Sequence, residues 1–155
     1  ALAALERTRM PEGALSFVRQ NNPLGLGHAV RLAARLIGNE PFAVLLPDDV
    51  IRSPQGALSQ MVAAHAEHRG HMVATMEVPR AATSSYGILD VARSQGRLAI
   101  ARGVTGFRFD GTRFDCGSVQ GFVQATVAFA LDRPELQSEL GVFLNDCTAP
   151  MSYAA

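Results

Sequence analysis

The sequence predicts an α/β fold with a mostly parallel, doubly wound sheet flanked by helices and a small antiparallel β layer. Two observations carry that expectation. Phe42-Ala43-Val44-Leu45-Leu46 is a continuous apolar run ending in Pro47-Asp48-Asp49, the pattern of a strand covered on both faces. Strand-like and helix-like periods then alternate as far as Pro79, after which short strands are separated by turn residues, the texture of hairpins.

In chain order, Leu2, Leu5 and Glu6–Arg9 suggest a fragment of helix stopped by Pro11 and Gly13. Ala14–Arg19 reads as a strand with Leu15, Phe17 and Arg19 on one face. Asn21-Asn22-Pro23-Leu24-Gly25-Leu26-Gly27 is a loop of turn formers. His28–Ile37 follows with Ala29, Leu32, Ala33, Leu36 and Ile37 at helical spacing, and Gly38 is a natural stop.

Beyond the apolar run, Gln55–His68 predicts a helix and Met72–Val78 a strand. Tyr86–Val91, Leu98–Ala101 and Val104–Phe109 are expected as short strands around Ser94-Gln95-Gly96 and Asp110-Gly111. Val119–Leu131 and Glu135–Leu144 predict two closing helices, and the tail from Cys147 is expected to fray.

Composition narrows the classes of function. The formal net charge is +0, which disfavours nonspecific nucleic-acid binding. No apolar run approaches the roughly 18 residues of a membrane span, and no signal peptide opens the chain, so neither partner is expected and a cytoplasmic location is. All 14 basic residues are arginine, so chemistry that needs a lysine has no carrier here. Base composition accounts for such a bias without touching the fold. Cys116 and Cys147 form no CxxC pair, which suits a reducing compartment. Cys116 reads as a small core residue at a strand end.

Ligands of open α/β sheets bind beyond the carboxyl ends of strands. Asp48 and Asp115 stand at two such ends, and together they could hold a Mg2+ ion, which takes one or two carboxylates and leaves room for phosphates. Asp48 could equally cap a turn. The Gly25–Gly27 loop runs into a helix start, where amides favour anions, but it lacks a complete dinucleotide or P-loop signature. His65, His68 and His71 invite a zinc reading; the competing one is a solvated helix end whose dipole favours cations. Ser84-Ser85 lacks the nucleophile elbow of a hydrolase.

Five blocks resemble the bacterial UTP–glucose-1-phosphate uridylyltransferases, in order and at matching spacing. They are Phe17-Val18-Arg19-Gln20, Gly25-Leu26-Gly27-His28-Ala29-Val30, Gly38 through Asp49, Thr83–Leu89, and Arg113-Phe114-Asp115-Cys116-Gly117-Ser118 followed by Gly121-Phe122. The resemblance implies a Rossmann-like nucleotidyltransferase fold and transfer of a uridylyl group from UTP to glucose-1-phosphate. It places the uracil against Gln20 and Gly25, with a less secure nucleotide contact at His28. It further implies glucose against the backbone of Gly87, and Mg2+ on Asp48 and Asp115, the catalytic pair. UTP and glucose-1-phosphate are the expected partners, and a homo-oligomer is the expected assembly. Two other readings stand beside it: a related sugar-1-phosphate nucleotidyltransferase using another nucleotide, and a non-catalytic remnant of the fold.

On the same resemblance the chain is one partial domain, 1–155. Residues 1–79 form its nucleotide-binding βαβ part, 80–118 the strands on the sugar and metal side, and 119–146 the C-terminal helices. The family's GxGTR segment has no match, and a central segment is expected to be missing near Ala101–Val104. Both signature lysines belong to those segments. These 155 residues expressed alone are therefore expected to make no UDP-glucose. Radiolabelled product above background would overturn that.

Overall fold

The computed structural model describes residue 6 and residues 8–148. Leu2, Leu5 and Arg7 of the expected N-terminal helix fragment lie outside the described residues, as does the tail from 149. The chain divides into two compact units, Ala1–Leu45 and Leu46–Ala155.

The first unit is built of loops and two short helices, α1 (Leu26–Leu32) and α2 (Ala34–Ile37). One continuous helix from His28 to Ile37 is thus corrected to a broken one. At the break, the Ala33 amide bonds back to the Val30 carbonyl at 3.1 Å, a tighter turn than α. Helices of this length are held by packing of an apolar face, and here Leu26 and Leu36 are exposed. Gly38 ends α2 at φ 65°, as its sequence position suggests.

Neither apolar run of this region forms a strand. Residues 14–19 and 42–46 are irregular, with Phe17 90% exposed and Leu45 65% exposed. Apolar content gives a strand its faces, but only a neighbour's amides and carbonyls complete the ladder. Among the described residues no strand pairs with either segment.

The second unit carries all the described sheet structure. Its elements are β1 (Asp49–Arg52), α3 (Ala57–His68), β2 (Met72–Thr75), a 3₁₀ turn at Arg80–Ser85, β3 (Val91–Gln95), β4 (Leu98–Ala101), β5 (Val104–Arg108), β6 (Thr112–Asp115), α4 (Val119–Leu131) and α5 (Pro134–Thr148). Helix and strand are mixed as expected, but the sheet is not mostly parallel. A four-stranded sheet runs β2-β5-β4-β3, in which only β2 and β5 are parallel. A second sheet is the antiparallel pair β1–β6.

Turn geometry explains where the hairpin strands fall. Gly96 at φ 57° and Arg97 join β3 to β4, setting Gln95 opposite Leu98. That register selects Val91–Gln95, so Tyr86–Asp90 remain outside the strand first expected at Tyr86–Val91. β4 and β5 are joined directly by Arg102-Gly103, with Ala101 paired to Val104 and Leu98 to Phe107. The chain therefore closes a complete hairpin at the place where a central segment was expected to be missing.

Two small cores result. Leu98 and Phe107 are buried between β4 and β5, and Gly106 sits where an added Cβ would meet Leu89 at 2.7 Å and Thr75 at 2.9 Å. On the other side, Phe114 of β6 packs against Phe129 of α4, ring centroids 6.3 Å apart and tilted by 57°.

Gln60 of α3 is the one buried polar side chain among the described residues. Its Nε2 donates to the carbonyls of Gln55 (2.7 Å) and Asp110 (2.9 Å) and reaches Ser53 Oγ at 3.2 Å. Its Oε1 accepts from the Asp110 amide at 2.8 Å and from Arg97 at 3.3 Å. One amide thereby ties α3 to the connections that follow β1 and β5. Gln60→Leu leaves those backbone groups without partners and is expected to cost about 3 kcal/mol in urea unfolding; an unchanged midpoint would refute the role of this amide.

Arg52 of β1 grips Asp132, the residue closing α4, through both carboxylate oxygens, with Nε at 2.6 Å from Oδ2. The hydrogen bond from Arg52 holds the Asp132 carboxyl below its ordinary range. A depressed carboxylate stabilises the fold above its unfolded value, and that gain disappears as pH falls through the folded value. The stability gap between the native chain and Asp132→Asn should therefore be present at neutral pH and close on acidification below the usual carboxylate range. A gap that persists there would contradict the pair.

Candidate functional site

The residues singled out from the sequence gather in two places, one in each unit. In the first unit, Gly25 takes φ 93°, a conformation that side chains rarely tolerate, and so turns the loop into α1. That turn brings Gln20 back over the helix start. Gln20 Nε2 donates to the Gly25 carbonyl at 3.1 Å and stands 2.8 Å from His28 Nδ1. An amide nitrogen is a donor only, so in this contact Nδ1 is the acceptor. Gln20, Gly25 and His28 are thus one hydrogen-bonded cluster, with the Gln20 carbonyl oxygen left over as an acceptor.

In the second unit, β1 and β6 bring two acids together. Asp49 lies opposite Asp115 in the ladder, and the Cys116 amide donates to the Asp48 carbonyl at 2.7 Å. The carboxylates then converge on Gly117. A Cβ at that glycine would lie 3.2 Å from Asp115 Oδ1 and 3.2 Å from Asp48 Oδ2. Gly117 leaves this space open and donates its amide to Asp115 Oδ1 at 3.2 Å. Two exposed carboxylates facing one gap form an acceptor-only, doubly negative pair, the donor set of a hard divalent cation.

Strand β1 begins after Pro47-Asp48, not before it, because Val50 and Ile51 find a partner in β6 whereas the apolar run finds none. Asp48 therefore enters the site from the start of a strand, where the sequence placed it at the end of one. Cys116 is half-buried just past β6, in keeping with a small structural residue.

Three further residues border the pair. Arg113 of β6 bonds Asp49 Oδ1 through Nε at 2.5 Å, and its guanidinium carbon lies 5.9 Å from the centre of the Tyr86 ring. This cation–π contact fastens the irregular segment carrying Gly87 onto the β1–β6 ribbon. Asp49, Arg113 and Tyr86 all lie inside the blocks quoted above, but nothing in their spacing indicates that they touch. Gly87 itself is exposed, with no atom within 4 Å of where a side chain would begin.

The histidine triplet divides as the helix-end reading requires. His65 and His68 fall in the last turn of α3, Arg69 ends the helix by donating to the His65 carbonyl at 2.9 Å, and His71 lies beyond. Among the described residues no group of three or more His, Cys, Asp or Glu is placed to hold a metal ion. No described helix is long and apolar enough to cross a membrane.

Known proteins resemble this chain over much of its length. The nucleotidyl transferase family pattern matches residues 5–103, ending at the tip of the β4–β5 hairpin. A UTP–glucose-1-phosphate uridylyltransferase of Komagataeibacter xylinus is 42% identical over 104 residues, covering 67% of this chain and 37% of its own length. The enzyme of the same name from Staphylococcus haemolyticus is 30% identical over 185 residues, covering 84% of this chain and 64% of its own length. The chain thus spans less than two thirds of either relative. The second match is longer than the chain itself, so that relative carries extra residues inside the matched region. Among solved structures, a UDP-glucose pyrophosphorylase from Acinetobacter baumannii superposes with a TM-score of 0.79 at 26% identity. It covers 94% of this chain and 70% of its own. A UTP-bound form from that organism gives 0.76, also at 26% identity, over 92% of this chain and 70% of its own. Nucleotidyl transferases of this kind generally use a divalent metal, which the Asp48–Asp115 pair is suited to hold. On the matched pattern, the chain belongs to the nucleotidyl transferase family.

Proposed function

We propose that the protein containing this chain transfers a uridylyl group from UTP to glucose-1-phosphate, giving UDP-glucose and pyrophosphate, with Mg2+ as its cation. The observation that carries the reading is the gap at Gly117 shared by Asp48 and Asp115, in a chain whose relatives bear the name of that activity.

The chemistry needs little beyond position and charge. An oxygen of the glucose-1-phosphate phosphate attacks the α-phosphorus of UTP in line; the bond from that phosphorus to the bridging oxygen breaks, and pyrophosphate departs. Two anions must approach one another, and a bound Mg2+ supplies the neutralising charge. Asp48 and Asp115 are the residues that would hold the ion.

Gln20, Gly25 and His28 would receive the base. With its nitrogen committed to Gly25 and His28, Gln20 offers its oxygen to the uracil N3–H, while backbone groups of the Gly25 loop meet the carbonyl edges. Gly87, open on its side-chain face, would let the glucose ring lie against the backbone. The two free cysteines fit a cytoplasmic enzyme, and a homo-oligomer remains part of the proposal.

Pyrophosphate release from UTP and glucose-1-phosphate tests this in the protein that contains these residues. Asp48→Asn and Asp115→Asn are each expected to slow turnover about 100-fold or more, as loss of charge stabilisation at the transition state does, while Gln20→Ala chiefly raises the KM for UTP. Faster turnover with dTTP than with UTP would shift the assignment to another nucleotide. Full activity in either Asp variant would end it.

A further inference from the structure

The gap between Asp48 and Asp115 depends on how closely α4 can approach the end of β6, and one residue controls that approach. Gly121 lies in the first turn of α4, where a Cβ would fall 2.0 Å from the Asp115 carbonyl oxygen and 2.6 Å from its carbonyl carbon. No contact of that length is possible between non-bonded heavy atoms, and the obstacle is backbone, which cannot rotate aside. Gly121 is therefore required by the close approach of the Asp115 peptide, with its own backbone in ordinary helical geometry.

Ser118 completes the seat. Its hydroxyl donates to the Asp115 carbonyl at 2.9 Å and accepts from the Gly121 amide at 3.0 Å. The Ser118 amide reaches the same Asp115 carbonyl at 3.2 Å. Serine at this position is a common helix N-cap, but here the cap also grips the residue whose carboxylate faces Asp48. Asp115 is thus fixed by its carbonyl on α4, its place in the ladder opposite Asp49, and the Gly117 amide on its carboxylate.

We infer that Gly121, with Ser118, is a positioning residue for the cation site: the bare α-carbon lets the Asp115 peptide sit down on α4, which aims the carboxylate into the gap at Gly117. The inference rests on the reading of Asp48 and Asp115 as cation ligands given above. Adding one methyl at Gly121 would push the Asp115 peptide off α4 and turn its carboxylate away from Asp48.

Mn2+ binding to the purified full chain, followed by loss of the free-ion paramagnetic resonance signal, provides a readout that needs no turnover. Gly121→Ala and Ser118→Ala are each expected to weaken Mn2+ binding about tenfold or more, the range seen when groups behind metal ligands are removed. Gly106→Ala is the control, since that glycine is also hemmed in, by the side chains of Leu89 and Thr75, but belongs to β5 and not to the β1–β6 ribbon. It should lower the thermal midpoint yet leave Mn2+ affinity unchanged. Native-like affinity in Gly121→Ala, or an equal loss in Gly106→Ala, overturns the inference. Should Gly121→Ala fail to fold, Ser118→Ala decides: weakened binding at native helicity supports it, and unchanged binding overturns it. Equal Mn2+ binding by the native chain and Asp115→Asn would sink the ligand assignment itself, an outcome separable from the others.

Discussion

Eight residues in an antiparallel ribbon, Asp49–Arg52 against Thr112–Asp115, bring Asp48 and Asp115 to one glycine. The partners are separated by some sixty residues of sequence, and everything between them serves to bring the ribbon together. Long-range pairing of this kind carries a loop-closure cost that local contacts must offset. Gln60 meets that demand, because its single amide bonds both the segment leaving β1 and the segment entering β6. The Phe114–Phe129 contact and the Arg52–Asp132 pair then fasten the ribbon to α4. The two carboxylates at its end are a consequence of that closure.

Much of this was legible in the residues, unevenly. Val119–Leu131 and Leu98–Ala101 emerge with the bounds read from their patterns, since each satisfies most of its own backbone or folds directly onto the next strand. Residues 14–19 and 42–46 have the right apolar character and still fail as strands, because a strand's stability lies in a neighbour that the described residues do not supply. Periodicity states which face a segment would bury; it says nothing about whether a partner is there to bury it. The sheet came out mixed for the same reason, its parallel content having been argued largely from that unpaired run.

The functional residues divide along a similar line. Gln20, Gly25 and His28 lie within eight residues of one another, and their mutual contact follows from a single glycine turn. Asp48 and Asp115 are paired in the sequence by their position at strand ends, and the structure brings their carboxylates to one glycine, although Asp48 stands at the start of its strand. What could not be read was the support around them. Arg113 bridging Asp49 and Tyr86, and Gly121 beneath Asp115, act through contacts between elements distant in sequence. Glycine in a helix signals a cost in propensity; only the packing around it shows what that cost accommodates.

The two-residue link between β4 and β5 has a meaning beyond this chain. Its ends, Ala101 and Val104, are opposite one another in the ladder, so the pairing is complete whatever lies between them. For a flexible loop, each doubling in length raises the closure cost by only about 0.6 kcal/mol. A hairpin tip of this kind is a socket: a long excursion can be added or removed there while the strands on either side keep their register. A chain with an excursion at this tip and a chain without one can thus share one scaffold, because the backbone is already closed there.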